Sequence, residues 1–267
     1  MHLTSRQNSR VKRLVKLRAR RQREAEACLL IDGARECVRA LAAGVELLEI
    51  YLCETLAANA EAREAWGQVR ACGAEVHTVT PEVYEKIRFG QRSDGLVAVA
   101  AVPHRSLASV QAPEQALVAV VEGLEKPGNL GAILRSADGA GVDVVIAAGS
   151  QTDLYHPHVI RNSMGAVFRD NVVAASVEET LQWLRTRGAS LLAARPDATC
   201  SYAEADYLGE TAVLLGSEAR GLSERWNAAD ISSIGLPMHG FADSLNVSAA
   251  AAVLFYEARR QRDAVLR

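Results

Sequence analysis

The second half of the chain alternates short apolar runs with longer stretches of helical period. Leu117 to Glu122 reads LVAVVE, and comparable runs occupy Val142 to Ala148, Ser190 to Arg195, Ala212 to Leu215 and Ile231 to Leu236. Apolar runs of this kind, broken by Gly, Pro or charge, predict strands covered on both faces, as in a parallel sheet. Asn129 to Gly141, opened by Pro127-Gly128, and Ser176 to Gly188 predict helices between them, and an Ala-rich helix begins at about Val247. The expected architecture is an α/β fold with an open parallel sheet and helices on both faces.

The first hundred residues alternate in the same manner. Strand-like runs at Cys28 to Asp32, Glu46 to Cys53, Glu75 to Thr80 and Gly95 to Val102 are separated by helical patterns at Gly33 to Ala43, Ala57 to Cys72 and after Pro81. They predict a smaller α/β domain over residues 1–103. Pro103 to Pro113 is polar, proline-bounded and without clear period, which marks residues 104–116 as a linker to a larger domain over residues 117–267.

Ahead of the first of these strands, Ser9 to about Glu26 predicts a helix with Val11, Leu14 and Val15 on one stripe and Arg10, Arg13, Lys16 and Arg20 in other directions. Net charge over all 267 residues is only −2, unlike a strongly basic nucleic-acid binder. The cations are nonetheless crowded into this first segment, and a local basic arm suits phosphate contact on one surface. The competing reading is a solvated helix whose cations do nothing specific.

No apolar run approaches the roughly 18 residues of a membrane helix. No apolar signal core follows the basic N-terminus either, so a soluble cytoplasmic protein is expected. Cys28, Cys37, Cys53, Cys72 and Cys200 are widely spaced and contain no C-x-x-C pair, which argues against a disulfide framework and a zinc site. His156 and His158 flank Pro157 without a Cys or carboxylate cluster, and no metal is expected there. The absence of G-x-G-x-x-G after the first strand of the larger domain, and of G-x-x-x-x-G-K-[ST] anywhere, gives no support to a dinucleotide fold or a nucleotide triphosphatase.

The loops after the Ala212 and Ile231 runs hold Ser217, Glu218, Arg220, Asp243, Ser244 and Asn246. A parallel α/β sheet places its ligand site there, beyond the carboxyl ends of its strands. Gly216, Gly221 and Gly240 permit close approach of backbone to a ligand. Taken singly, each residue has an ordinary use: Ser244 as cap of the last helix, Glu218 as cap of the segment after it, the glycines as turn residues.

Three blocks change that balance: VEGLEKPGNLGAILRSADGAG (121–141), LLGSEARGL (214–222) and LPMHGFADSLNVS (236–248). In order and spacing they resemble the three signature motifs of the SpoU (TrmH) family of RNA ribose 2'-O-methyltransferases, a branch of the SPOUT superfamily. Leu29-Leu30-Ile31-Asp32-Gly33 and Arg92-Ser93-Asp94-Gly95-Leu96-Val97-Ala98-Val99 resemble the substrate-binding domain that precedes many SpoU catalytic domains. That domain is similar to small ribosomal RNA-binding proteins. Lys126, where many relatives have Asp, and Asp138-Gly139-Ala140 depart from the first motif.

The resemblance implies a deep trefoil knot made by the last strands and the closing helix. It implies S-adenosylmethionine bound there by Gly216, Ser217, Leu236, Met238 and Leu245, no metal, and a homodimer through the knotted domain. It assigns Arg135 to the ribose hydroxyl or its adjoining phosphate. A guanidinium stays protonated, so orientation and electrostatic stabilisation suit it better than base chemistry. Asn129, Glu218, Ser244 and Asn246 complete the polar wall. The expected substrate is large-subunit (23S) ribosomal RNA, with Arg10, Arg13, Lys16 and Arg20 as phosphate contacts. Transfer RNA as substrate, or a catalytically silent RNA-binding or assembly protein, are the alternatives. Removal of residues up to about Pro103 is expected to leave a folded catalytic domain.

Overall fold

A computed structural model describes residues 1–57, 60–90, 94–149 and 153–265; Arg92 and Ser93 lie outside the described residues. The chain divides into two compact units, Met1–His104 with Tyr155–Arg169, and Arg105–Leu154 with Asp170–Arg267. Tyr155–Arg169, which the sequence pattern leaves in the larger domain, thus packs within the first unit.

The first unit is built from β1 (His2–Leu3), α1 (Ser9–Lys16), α2 (Arg20–Glu26), β2 (Cys28–Asp32), α3 (Ala34–Ala42), β3 (Leu47–Leu52), α4 (Ala60–Arg70), β4 (Glu75–Val79), α5 (Pro81–Ile87) and β5 (Leu96–Ala101). Its five-stranded sheet has the order β1-β4-β3-β5-β2, with β5 antiparallel to both neighbours. Val11, Leu14 and Leu17 are fully buried in one apolar cluster with Val83, Tyr84 and Ile87 of α5, which docks the basic arm through its narrow stripe.

The single helix expected from Ser9 to Glu26 is two helices. Ala19 is extended (φ −84°, ψ 132°); Arg23 satisfies the carbonyls at the break, and Arg18 those at the end of α5. Arg23, only 3% exposed, donates to Leu17 O at 3.0 Å and Arg18 O at 2.7 Å. Arg18 donates to the carbonyls of Lys86 and Arg88 at 2.9 and 2.7 Å. Backbone acceptors freed by a helix end need such partners, and no hydrophobic period reveals them.

The second unit carries β6 (Leu117–Glu122), α6 (Pro127–Ala140) and β7 (Val144–Ala148). The chain then contributes α7 (Pro157–Asn162) to the first unit and returns as β8 (Val172–Ala175), α8 (Val177–Thr186), β9 (Ser190–Ala194), β10 (Cys200–Ser201), β11 (Thr211–Leu215), β12 (Ile231–Gly235) and α9 (Val247–Val265). All seven strands are parallel in the order β10-β12-β9-β11-β6-β7-β8. The predicted sheet strands are all present; β8 and β10 are additional, too short to carry a pattern.

Strand order reverses at β6. From there the chain steps outward to β7 and β8, then crosses to β9 and inserts β11 beside β6. Such a switch point opens a crevice at the carboxyl ends of the strands. Helices α6 and α9 pack together, and Arg259 of α9 donates to Ala140 O and Gly141 O, both at 2.8 Å. Gly141, with φ 69°, closes α6 in the left-handed conformation, the expected C-terminal signal. The start of α6 and the start of α9 are thereby fixed beside the switch point.

Candidate functional site

A cavity of about 490 Å³ lies at the carboxyl ends of β9, β11 and β12. It collects all five residues expected to hold the cofactor: Gly216, Ser217, Leu236, Met238 and Leu245. Leu215, Ile234, Val247 and Leu254 extend an apolar wall, while Glu218, Arg220, Asp243 and Ser244 supply polar rim. Leu245 is 42% exposed, an apolar side chain that a bound ring would cover. Volume and lining suit a compact ligand with one flat apolar end and one charged end, and S-adenosylmethionine fits that description.

Gly216 is required by the loop itself. A Cβ there would stand 2.1 Å from Gly221 C and 2.3 Å from Leu222 N, because Ser217 and Gly221 pair backbone to backbone at 3.1 and 2.9 Å. The loop is also held from outside: both Glu122 carboxylate oxygens accept from Ser223, from its N–H at 2.7 Å and its hydroxyl at 2.8 Å.

The polar residues of the three motif blocks meet in one chain of hydrogen bonds. The Asn129 amide nitrogen donates to Glu218, and its oxygen accepts from Asn246 Nδ2 at 3.3 Å. Asn246 Oδ1 in turn accepts from the Ser248 N–H at 3.0 Å. Asn246 is therefore the residue that caps α9, the use that sequence reasoning offered for Ser244. Ser244 stands exposed at the cavity rim.

Arg135 is not part of this chain. It is exposed on α6, about 9 Å along the axis from Asn129 and turned well away from it, given helical rise and twist. It lines none of the cavity, and no described residue pairs with it. Gly139, about one helical turn beyond Arg135, lies against Tyr256 of α9, where an added Cβ would come within 3.2 Å of the hydroxyl; Tyr256 is 55% exposed and Val253 36%, so α6 and α9 share a bare face of mixed character.

The basic arm is more heavily paired than its sequence implies. Arg10 reaches Glu75 at 3.3 Å and Glu49 at 3.5 Å, Arg13 reaches Glu26 at 2.5 Å and Glu49 at 2.6 Å, and Arg20 reaches Glu24 at 2.6 Å. Lys16 is exposed and has no such partner among the described residues. The His156 and His158 rings lie 5.6 Å apart, with Phe89 4.4 Å from His158. Among the described residues no group of three or more His, Cys, Asp or Glu is placed to hold a metal, and no helix is long and apolar enough to cross a membrane.

Sequence reasoning missed Arg195 and Asp197, which line the cavity just past β9, and Glu122. Each stands at or just beyond the carboxyl end of a recognised strand, the signal that marks ligand loops in such sheets.

Comparison with known proteins matches this architecture. Residues 116–256 fit the profile of the SpoU rRNA Methylase family, and residues 8–98 that of an MRM3-like substrate binding domain. A 23S rRNA (uridine(2479)-2'-O)-methyltransferase of Streptomyces viridochromogenes is 32% identical over 185 residues, 66% of this chain and 64% of that one. A 23S rRNA (guanosine-2'-O-)-methyltransferase of Xylella fastidiosa is 33% identical, with 85% of this chain and 96% of that one covered. Among solved structures, an RNA 2'-O ribose methyltransferase superposes with a TM-score of 0.85 at 43% identity, covering 98% of this chain and 99% of that one. An AdoMet-bound rRNA methyltransferase from Sinorhizobium meliloti gives 0.86 at 25% identity, covering 98% of each.

An α/β fold with a parallel sheet, a cavity at the carboxyl ends of its strands and a preceding substrate-binding domain define a SPOUT-type methyltransferase. The chain belongs to the SpoU rRNA methylase family.

Proposed function

We infer that the protein transfers a methyl group from S-adenosylmethionine to a ribose 2'-hydroxyl of RNA, with large-subunit (23S) ribosomal RNA as substrate. The observation that carries this reading is the hydrogen-bonded chain Glu218–Asn129–Asn246, which joins the three motif blocks beside the cofactor cavity. Relatives named as 23S rRNA 2'-O-methyltransferases and AdoMet-bound structural neighbours support it.

When bound, S-adenosylmethionine supplies an activated methyl group on a sulfonium. The chain's own residues bind and orient. Leu236, Met238 and Leu245 hold the flat apolar end, and Gly216 and Ser217 present backbone at the cavity edge. Asn129, fixed by Glu218 and Asn246, offers a preorganised polar contact to the ribose, with Ser244 at the rim. Arg135 orients the acceptor and stabilises charge that develops as its hydroxyl loses a proton. No step needs a metal.

The functional unit is a homodimer. Arg135, Val253 and Tyr256 lie on the bare face of α6 and α9, and a second copy packed there would bring Arg135 to a site that its own chain leaves it turned away from. The last strands and α9 form the trefoil knot, consistent with α9 returning from β12, which lies between β10 and β9, to pack beside α6 and β11. The first unit captures RNA, with phosphate contacts on the basic face of α1 and α2, Lys16 foremost because its charge is unspent. The setting is cytoplasmic.

Transfer of tritium from methyl-labelled S-adenosylmethionine to purified ribosomal and transfer RNA tests the reading. Label in ribosomal RNA is expected; label confined to transfer RNA overturns the substrate assignment, and label in neither overturns the activity.

A further inference from the structure

Three aromatic rings meet within the first unit, where the end of α5 adjoins the start of α7. The Phe89 ring meets His158 edge-on at 4.4 Å and His156 at 5.8 Å. The two imidazoles lie nearly parallel, 5.6 Å apart with 11° between their planes. Such contacts are favourable in themselves. Rings needed for packing alone would be buried, yet His158 is exposed and Phe89 and His156 are only half-buried.

The rings are held in place by the backbone that carries them. The N–H groups of Phe89 and Gly90 donate to Asp32, and His156 caps α7 by accepting from the His158 N–H at 3.1 Å. A cation stands beside them: the Arg18 guanidinium carbon lies 5.7 Å from the centre of the Phe89 ring, within cation–π range. Arg18 Nη2 donates to the carbonyls of Lys86 and Arg88, whereas its Nη1 has no partner among the described residues. Arg18 also stands in the break between α1 and α2. The rings therefore adjoin the arm to which phosphate contacts are assigned above.

A metal ion does not suit the two imidazoles, since among the described residues no third His, Cys, Asp or Glu completes a ligand set. A flat group with a π-face, joined to negative charge, satisfies the rings and the free guanidinium donors together. A nucleobase on its phosphodiester backbone is such a group. Its face is open to a protein ring only where the RNA is unpaired, because in a duplex each base is already stacked on its neighbours.

We propose that Phe89 and His158 form a stacking site for an unpaired base of the RNA, with Arg18 Nη1 at the adjoining phosphate. The ligand, an RNA, rests on the function inferred above; the site adds the form in which that RNA is captured, a loop or an unwound strand. Because the rings are fixed before RNA arrives, little side-chain freedom is lost on stacking.

The test measures, by fluorescence anisotropy, binding of the full chain to a short single-stranded oligoadenylate and to duplex RNA of equal length, beside methylation of ribosomal RNA by the same preparations. His158→Ala should weaken oligoadenylate binding roughly tenfold, as loss of one stacked base does, and leave duplex binding and melting temperature unchanged. The slope of log K against log salt should also stay the same, since stacking releases no counterions. His158→Phe should restore the affinity, and Phe89→Leu should weaken it as His158→Ala does. Unchanged oligoadenylate affinity in both His158→Ala and Phe89→Leu would overturn the proposal, as would failure of the unaltered chain to bind oligoadenylate. A His158→Phe chain that binds no better than His158→Ala would overturn it too, by assigning His158 a polar contact instead. Oligoadenylate binding that depends on His158 in a chain that leaves ribosomal RNA unmethylated would sink the activity and uphold the stacking site.

Discussion

Asp32 and Arg161 stand 129 positions apart, and Arg161 Nη1 lies 2.8 Å from Asp32 Oδ2 in the interior of the first unit. The Asp32 side chain is 2% exposed and that of Arg161 13%. The same carboxylate oxygen accepts from the N–H groups of Phe89 and Gly90 at 2.9 and 2.8 Å. One buried charge thus ties β2, the turn after α5 and α7 together. Arg161→Met would strand the carboxylate, and loss of about 3 to 5 kcal/mol of stability is expected. Urea unfolding checks this; a loss under about 1 kcal/mol would mean that the pair contributes no more than a surface bridge.

The same segment alters the outlook for truncation. Val159, Ile160, Val167 and Phe168 are all at most 1% exposed and belong to the first unit. Deleting residues 1–103 would strip their cover, so the shortened chain is expected to aggregate rather than yield a well-behaved catalytic domain. Light scattering decides the matter: a monodisperse, cofactor-binding product would show that Tyr155–Arg169 folds without its partners.

Gly216→Val should abolish cofactor binding. The added side chain collides with the Gly221 and Leu222 backbone and must displace the loop that lines the cavity, since backbone cannot yield as a flexible side chain can. Normal affinity by calorimetry would place the cofactor elsewhere.

Burial alone would raise the Glu49 carboxyl, but the Tyr51 hydroxyl and the Arg13 and Arg10 guanidinium groups outweigh it and hold it below the ordinary carboxylate range. Glu26 is likewise held low against burial by Gln22 and Arg13. A depressed carboxylate stabilises the fold above its unfolded value of about 4.3, and that contribution is lost as pH falls through the lower folded value. Glu49→Gln should therefore destabilise the protein at neutral pH and flatten its acid unfolding profile. Parallel thermal melts from neutral to acid pH check this; an unchanged profile would show that the network does not drive acid unfolding.

That network also marks a limit of the sequence. Arg13 meets Glu26 and Glu49, which lie 13 and 36 positions away, and Arg10 meets Glu75 65 positions away. A charge run reads as a free basic arm because the carboxylates that neutralise it are remote in the chain. The strands β6, β7, β9 and β11 were legible because each is a largely apolar run ended by Gly, Pro or charge, and β12 in spite of Ser232 and Ser233, which interrupt its run and stand exposed. By contrast, β8 is four residues and α7 six, too short for any period. The loops that line the cavity beyond β11 and β12 were legible from glycines beyond strand ends, helped by the family resemblance. That Asn129 and Asn246, 117 positions apart, share one polar wall came from the resemblance alone; no period in the chain reveals it, because only the packing of α6 against α9 brings them together.

The proposed homodimer would use the bare face of α6 and α9. Light scattering should give the mass of two chains at micromolar concentration, and Tyr256→Asp should shift it toward one, since a charge buried at a two-fold contact meets its own copy. A single-chain mass for the unaltered protein would contradict the shared site.

The most direct measurement is nucleoside mass spectrometry of ribosomal RNA treated with the protein and S-adenosylmethionine, alongside Arg135→Ala. A 2'-O-methylated nucleoside should appear with the unaltered protein. It should fall by orders of magnitude with Arg135→Ala while calorimetric cofactor affinity is kept, the pattern of an interaction gained in the transition state. A base-methylated product, or full 2'-O-methylation by Arg135→Ala, would contradict the account.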